Sequence, residues 1–166
     1  MNTIIYQYDS ATQLTFGDES AVDGVLLKGE FYNETSLLED ELSVDTMTIR
    51  VRSKNESYPL HNFIYGSQVN LYEDDVLCGK YYLVSVERQT TDTYVLNVQS
   101  SIGLLDDTIH YGGIYSGEYA SAIIKDIIGG KIAYTEHSIF SKIKVYGWLP
   151  VATRRENLKQ LLFAVG

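Results

Sequence analysis

The feature that most constrains this chain is a series of three period-two alternations between Val69 and Ser100, separated by short polar breaks. Val69 and Leu71 alternate with Asn70 and Tyr72. Tyr82, Val84 and Val86 alternate with Tyr81, Leu83, Ser85 and Glu87, and Tyr94, Leu96 and Val98 with Thr93, Val95, Asn97 and Gln99. β-Branched and aromatic residues dominate, which fits pleated strands with one buried face. Asp74-Asp75 and Thr90-Thr91-Asp92 separate the runs and supply turn chemistry. The reading is an antiparallel meander whose middle strand turns Tyr82, Val84 and Val86 inward.

The flanking segments extend that scaffold. Thr3 to Tyr8, a short piece around Leu14 and Phe16, Val25 to Tyr32, and Val44 to Arg52 all read as strands. In the last of these Met47, Ile49 and Val51 share one face. Phe63 to Tyr65 reads as a short strand, Ser36 to Asp40 as a helical turn, and Ser53 to His61 as a loop broken by Pro59.

Beyond Gly112-Gly113 the period changes. Gly117 to Ile128 reads as a helix, because Ala120, Ile123, Ile124, Ile127 and Ile128 fall on one face. Ser116 is its expected cap and Gly129-Gly130 its stop. Short strands are expected around Ile132 to Tyr134 and Ile143 to Tyr146. A second helix follows Leu149-Pro150, opened by the T-x-x-E capping box of Thr153 and Glu156 and carrying Leu158, Leu161, Leu162 and Val165 on one face. That apolar face is expected to be loosely packed. The fold expected is mainly β with an α+β C-terminal part. It consists of an antiparallel β-barrel-like domain over residues 1–105 and an α/β segment over 106–166, the latter read as the start of a domain that continues in a longer parent.

Composition narrows the function classes. Among 166 residues the 13 Lys and Arg are outnumbered by 22 Asp and Glu, for a formal charge of −9. A grip on nucleic acid needs clustered cations, which this balance opposes. The lone cysteine, Cys78, excludes an internal disulfide and a cysteine-rich zinc site; it is expected to be a half-buried apolar residue. No apolar run reaches the ~20 residues of a membrane span, and MNTIIYQYDS lacks a signal-peptide pattern. The 14 tyrosines suit either a partner-facing surface or plain strand propensity.

No catalytic, cofactor-binding or metal-binding residue is expected. Asp74-Asp75 and Asp106-Asp107 are adjacent pairs in turns, where a glycosidase needs carboxylates ~5–10 Å apart across a cleft. His61, His110 and His137 lie far apart and outside any metal motif. No G-x-S-x-G elbow or P-loop is present, and Arg154-Arg155 reads as a solvated pair on a helix.

Two stretches nevertheless carry a recognisable order. The first runs from Gly66, Val69 and Leu71 through Gly79 and Tyr81 to Ser85-Val86-Glu87-Arg88, then Leu104-Leu105-Asp106, Tyr111-Gly112-Gly113 and the isoleucine-rich helix. The second places Leu149, Pro150, Arg155 and Leu158 in an L-P-x-x-x-x-R-x-x-L helix start. From about Val44 onward this series resembles the N-terminal part of phage and prophage tail hub proteins, the baseplate hub and tail-associated protein family. The resemblance implies a non-enzymatic virion structural protein, assembled in the bacterial host cytoplasm and located in the tail. It implies an oligomer, a homotrimer in the full-length protein. Its β-barrels form a ring between tail tube and tip, beside distal-tail or spike proteins, with DNA passing through the lumen unbound. The 166-residue chain alone is then expected to be monomeric or weakly associated, with its ring interface on the β domain. No cofactor and no membrane insertion is implied. The alternative is a carbohydrate- or receptor-binding β module, for which the tyrosines would be the stacking surface.

Overall fold

The computed structural model describes residues 2–7, 13–16, 28–30, 42–52 and 60–166. The expected helical turn at Ser36 to Asp40 and most of the loop at Ser53 to His61 lie outside them. The chain divides into two compact units. One comprises Met1–Tyr32 and Val44–Ser101, the other Asn33–Ser43 and Ile102–Gly166.

The first unit is a seven-stranded antiparallel sheet. Its strands are β1 (Asn2–Gln7), β2 (Gln13–Phe16), β3 (Lys28–Glu30), β4 (Thr46–Arg52), β5 (Gln68–Glu73), β6 (Val76–Arg88) and β7 (Thr93–Gln99). They lie in the order β2-β1-β5-β6-β7-β4-β3. The meander β5-β6-β7 forms its middle, and among the described residues the ladder does not close into a barrel. Asp74 and Asp75 join β5 to β6 with φ of 47° and 63°. Positive φ at both central residues matches the right-handed twist of a hairpin, and Asp tolerates that region better than most side chains do. The core is Met47, Ile49 and Val51 from β4, Val69 and Leu71 from β5, Leu83 from β6, and Tyr94, Leu96 and Val98 from β7. These are the alternating positions of the sequence in every strand but one.

The exception is β6. Its pairing with β7 runs Leu83↔Val98 and then Ser85↔Asn97, so Val84 is an extra residue in a β-bulge. Leu83 is therefore 1% exposed and Val84 39% exposed, the reverse of the expected facing. Val86, opposite Leu96 beyond the bulge, packs against the core again. A bulge adds one residue to a period of two, and every assignment upstream of it changes face. A second irregularity pairs Leu71 with Gly79 and Tyr72 with Leu77, which leaves Cys78 unmatched. Cys78 is exposed, not half-buried. Phe63 to Tyr65 is a turn, not a strand. Ser67 N–H donates to Ile64 O and Gly66 N–H to Leu83 O, and the Phe63 ring lies 5.4 Å from that of Tyr94.

The second unit holds β8 (Ile109–His110), β9 (Gly113–Tyr119), α1 (Ala120–Ile128), β10 (Lys144–Leu149), β11 (Ala152–Thr153) and α2 (Arg154–Val165). Helix α1 buries Ile123, Ile124, Ile127 and Ile128 as its spacing predicts, and it ends on Gly129 at φ 56°, a left-handed cap. It starts later than expected. Gly113 to Tyr119 is strand, because pairing with Lys144–Leu149 satisfies its backbone groups. Ser116 therefore lies within β9, and the N-cap is Tyr119, which makes no side-chain capping bond. Ile132 to Tyr134 is not a strand. Helix α2 begins at the expected box, with Thr153 Oγ1 accepting from Glu156 N–H at 3.2 Å. Its apolar face is not loose: Leu158 and Leu161 are buried with Leu105 and the α1 isoleucines.

Candidate interaction surface

The residues singled out for possible chemistry are scattered. Asp74 and Asp75 form a hairpin tip, and His61 sits in a single turn at Leu60–Asn62. His137 Nδ1 caps the short turn Ser138–Ser141 by accepting from Ile139 N–H. His110 is buried in β8. Among the described residues no three His, Cys, Asp or Glu side chains converge in a way that could hold a metal ion. Arg154 and Arg155, expected to be solvated, are both engaged. Arg154 Nη1 donates to Asp126 O and Ile127 O at the C-terminus of α1, where orphaned carbonyls and the helix dipole favour a cation. Arg155 Nε donates to Asp106 Oδ2 at 2.7 Å, and its Nη1 donates to Leu42 O at 3.0 Å.

What the second unit does present is a surface. Strands β8 and β9 run antiparallel to β11 and β10 in one continuous register: Ile109↔Thr153, His110↔Ala152, then Gly113↔Leu149, Ile114↔Trp148, Tyr115↔Gly147 and Ser116↔Tyr146. The register shifts between Val145 and Tyr146, and the ribbon breaks at Tyr111-Gly112 and Pro150-Val151, where Gly112 has φ of 67°. No other residue fits there, since a Cβ on Gly112 would collide with the carbonyl oxygens of Leu149 and Pro150. The break also reverses the facing of the ribbon. Before it, His110 points in and Ile109 and Tyr111 point out; after it, Tyr115 and Leu149 pack on the helices and Ile114, Tyr146 and Trp148 point out. The reversal gathers Ile109, Tyr111, Ile114, Tyr146, Trp148 and Val151 on the outer side, each between 49% and 87% exposed.

A polar cluster fixes the ribbon from behind. His110 Nδ1 accepts from Asn157 Nδ2 at 2.9 Å and from Gly112 N–H at 3.3 Å. With two donors aimed at Nδ1, the ring proton belongs on Nε2, which faces Asp126 Oδ2 at 3.3 Å. Asn157 Nδ2 also donates to Pro150 O at 2.9 Å, so one buried amide holds both sides of the break. Burial, together with the charges of Asp126 and Glu118, pushes the Tyr115 hydroxyl above its usual pKa. These bonds anchor the inner face of the ribbon, although Asn157 Oδ1 is buried without a partner, and the outer face is apolar and aromatic. Isolated exposed apolar residues are ordinary, but contiguous ones mark contact sites.

Sequence reasoning missed this surface. Reading Gly117 as the start of a helix removed half of β9 and with it the pairing that aligns Ile114 with Trp148. The abundance of tyrosine was the available signal.

The fold is similar to that of solved tail proteins. The structure superposes on the tail protein from Neisseria meningitidis MC58 with a TM-score of 0.56 at 9% identity, covering 99% of this chain and 45% of that one. It superposes on the E. coli c3393 protein with a TM-score of 0.52 at 10% identity, covering 75% of this chain and 37% of that one. The latter is described as a component of the type VI secretion system with structural similarity to the T4 bacteriophage tail proteins gp27 and gp5. The chain thus spans less than half the length of either protein. By sequence, no family profile and no curated protein matches. The expected resemblance to tail hub proteins is therefore present in the fold.

Proposed function

We propose that this chain is a structural subunit of a phage or prophage tail tip or baseplate hub. Its role is to help form the ring that joins tail tube to tip, and it carries out no catalysis in this segment. The observation that carries the reading is the whole-chain likeness to a tail protein, 99% of this chain at a TM-score of 0.56. The motif order adds independent support. Asp106 and Leu105 of the first stretch meet Arg155 and Leu158 of the second in one ion pair and one core. The partners are other tail proteins, and the longer protein is a homotrimer. Its place is the virion tail, after assembly in the host cytoplasm. A formal charge of −9 suits a lumen through which DNA slides without binding.

An in-frame deletion of the coding segment in the phage or prophage that carries it tests the reading. Particles lacking complete tails, restored by the gene supplied in trans, are the expected result. Intact, infectious tails would overturn it.

A further inference from the structure

We propose that the joint between β8 and the first turn of α2 is built around an internal water molecule, bound by Thr108, Arg154 and Asn157. The inference does not depend on the tail reading. Arg154 N–H donates to Thr108 O at 3.1 Å, which continues the pairing Ile109↔Thr153 by one residue. Thr108 and Arg154 therefore stand opposite one another, on the inner face that His110 shares. Ile109, between Thr108 and His110, points out. Asn157 lies one turn further along α2 than Arg154 and reaches the same place, where its Nδ2 donates to His110 Nδ1. Each of the three side chains keeps one polar atom that is buried and bonded to no protein group: Thr108 Oγ1, Arg154 Nε and Asn157 Oδ1. Among the described residues no other buried side-chain nitrogen or oxygen is left so, and these three belong to one joint.

The chemistry of the three atoms selects water as the ligand. A guanidinium Nε–H only donates, an amide oxygen only accepts, and a hydroxyl does either. Water does both, and in a protein interior it takes a place with two to four such partners. An anion would face Asn157 Oδ1 and the Asp126 carboxylate, whose Oδ2 lies 3.3 Å from His110 Nε2. A cation would face the Arg154 guanidinium. Turning the Asn157 amide over does not supply the missing partner. It would set Oδ1 against Pro150 O and His110 O, the two carbonyls that Nδ2 now serves, and so oppose acceptor to acceptor. An atom left unpaired there would carry the whole desolvation penalty of its group. The water accepts from Arg154 Nε–H and donates to Asn157 Oδ1, with the Thr108 hydroxyl as its third partner. It ties strand to helix behind the reversal at Gly112.

Thr108→Val tests the proposal by the sign of its effect. Valine keeps the shape of the side chain and removes the hydroxyl. With water bound, the variant loses a hydrogen bond, and the melting temperature of the full chain should fall by about 2–4 °C. In a dry joint the same substitution deletes an unpaired buried hydroxyl, and the melting temperature should rise. A crystal structure that resolves ordered solvent is the second measurement. It should show one solvent peak at about 2.7–3.2 Å from at least two of the three atoms. The peak should persist in Thr108→Ser, which keeps the hydroxyl. A melting temperature that rises or stays the same in Thr108→Val overturns the proposal. A crystal structure in which the three atoms bond directly to one another, or stand with no solvent between them, overturns it equally.

Discussion

Arg155 Nε donates to Asp106 Oδ2 at 2.7 Å, tying the first turn of α2 to the residue that follows the Ser101–Leu105 turn. Thr153 Oγ1 donates to the other oxygen of the same carboxylate at 3.3 Å. Both charged side chains are a little over one third exposed, so solvent screens the pair and its worth is that of a good surface bridge. A double-mutant cycle with Asp106→Ala and Arg155→Ala should give a coupling energy of about 1 kcal/mol, falling with added salt. Chemical denaturation of the four variants measures it. A coupling indistinguishable from zero would mean the two side chains act separately.

The core beneath the ribbon should respond in proportion to burial. Ile127 is fully buried between the helices, and Ile127→Ala should cost about 2–5 kcal/mol through lost transfer energy and the cavity left behind. Phe163→Ala, on the same unit but mostly exposed, should change stability by no more than about 0.5 kcal/mol. Equal effects from the two substitutions would mean that the facing of α2 is misassigned.

The bulge in β6 makes a sharp pairwise prediction. Leu83→Asp places an unpaired carboxylate in the sheet core and should abolish soluble folding. Val84→Asp, one residue on, faces outward and should leave the melting temperature within a few degrees of the parent. Soluble expression and thermal melts distinguish the two. The reverse pattern would restore simple alternation through β6 and remove the bulge.

Asp92 accepts from Arg52 Nε at 2.6 Å and from Thr90 Oγ1 at 2.8 Å. The hydrogen bond from Arg52, followed by that from Thr90, holds its carboxyl at about 2, below the usual 3.8. The folded chain therefore favours the ionised form. This contribution to stability is full above the unfolded value, declines as pH falls below about 4, and is gone once pH passes below the folded value. Carboxyl NMR titration should find the midpoint near 2 in the parent. In Arg52→Gln it should rise part of the way towards 3.8, since the bonds from Thr90 and Thr93 remain. An unchanged midpoint in that variant would remove Arg52 as the main cause.

Much of the sheet was legible because its strands obey a local rule. Met47, Ile49 and Val51, and Tyr94, Leu96 and Val98, are buried where alternation puts them. Alternation failed at Val84 because a bulge is decided by pairing with β7, which no local window contains. The α1 isoleucines and the Thr153 cap were legible for the same local reasons. The ribbon face was not. It depends on a register linking residues more than thirty positions apart, Ile114 to Trp148, and on the reversal at Gly112. Arg154 and Arg155 read as solvated because their partners, the α1 carboxyl end and Asp106, become neighbours only in the folded unit.

The central claim is a structural place in a tail, and the most direct measurement is electron microscopy of purified particles labelled with an antibody against this chain. The account predicts label confined to the tip end of the tail, at the junction with the tube. Label on heads, along the tail shaft, or only on unassembled protein would contradict it.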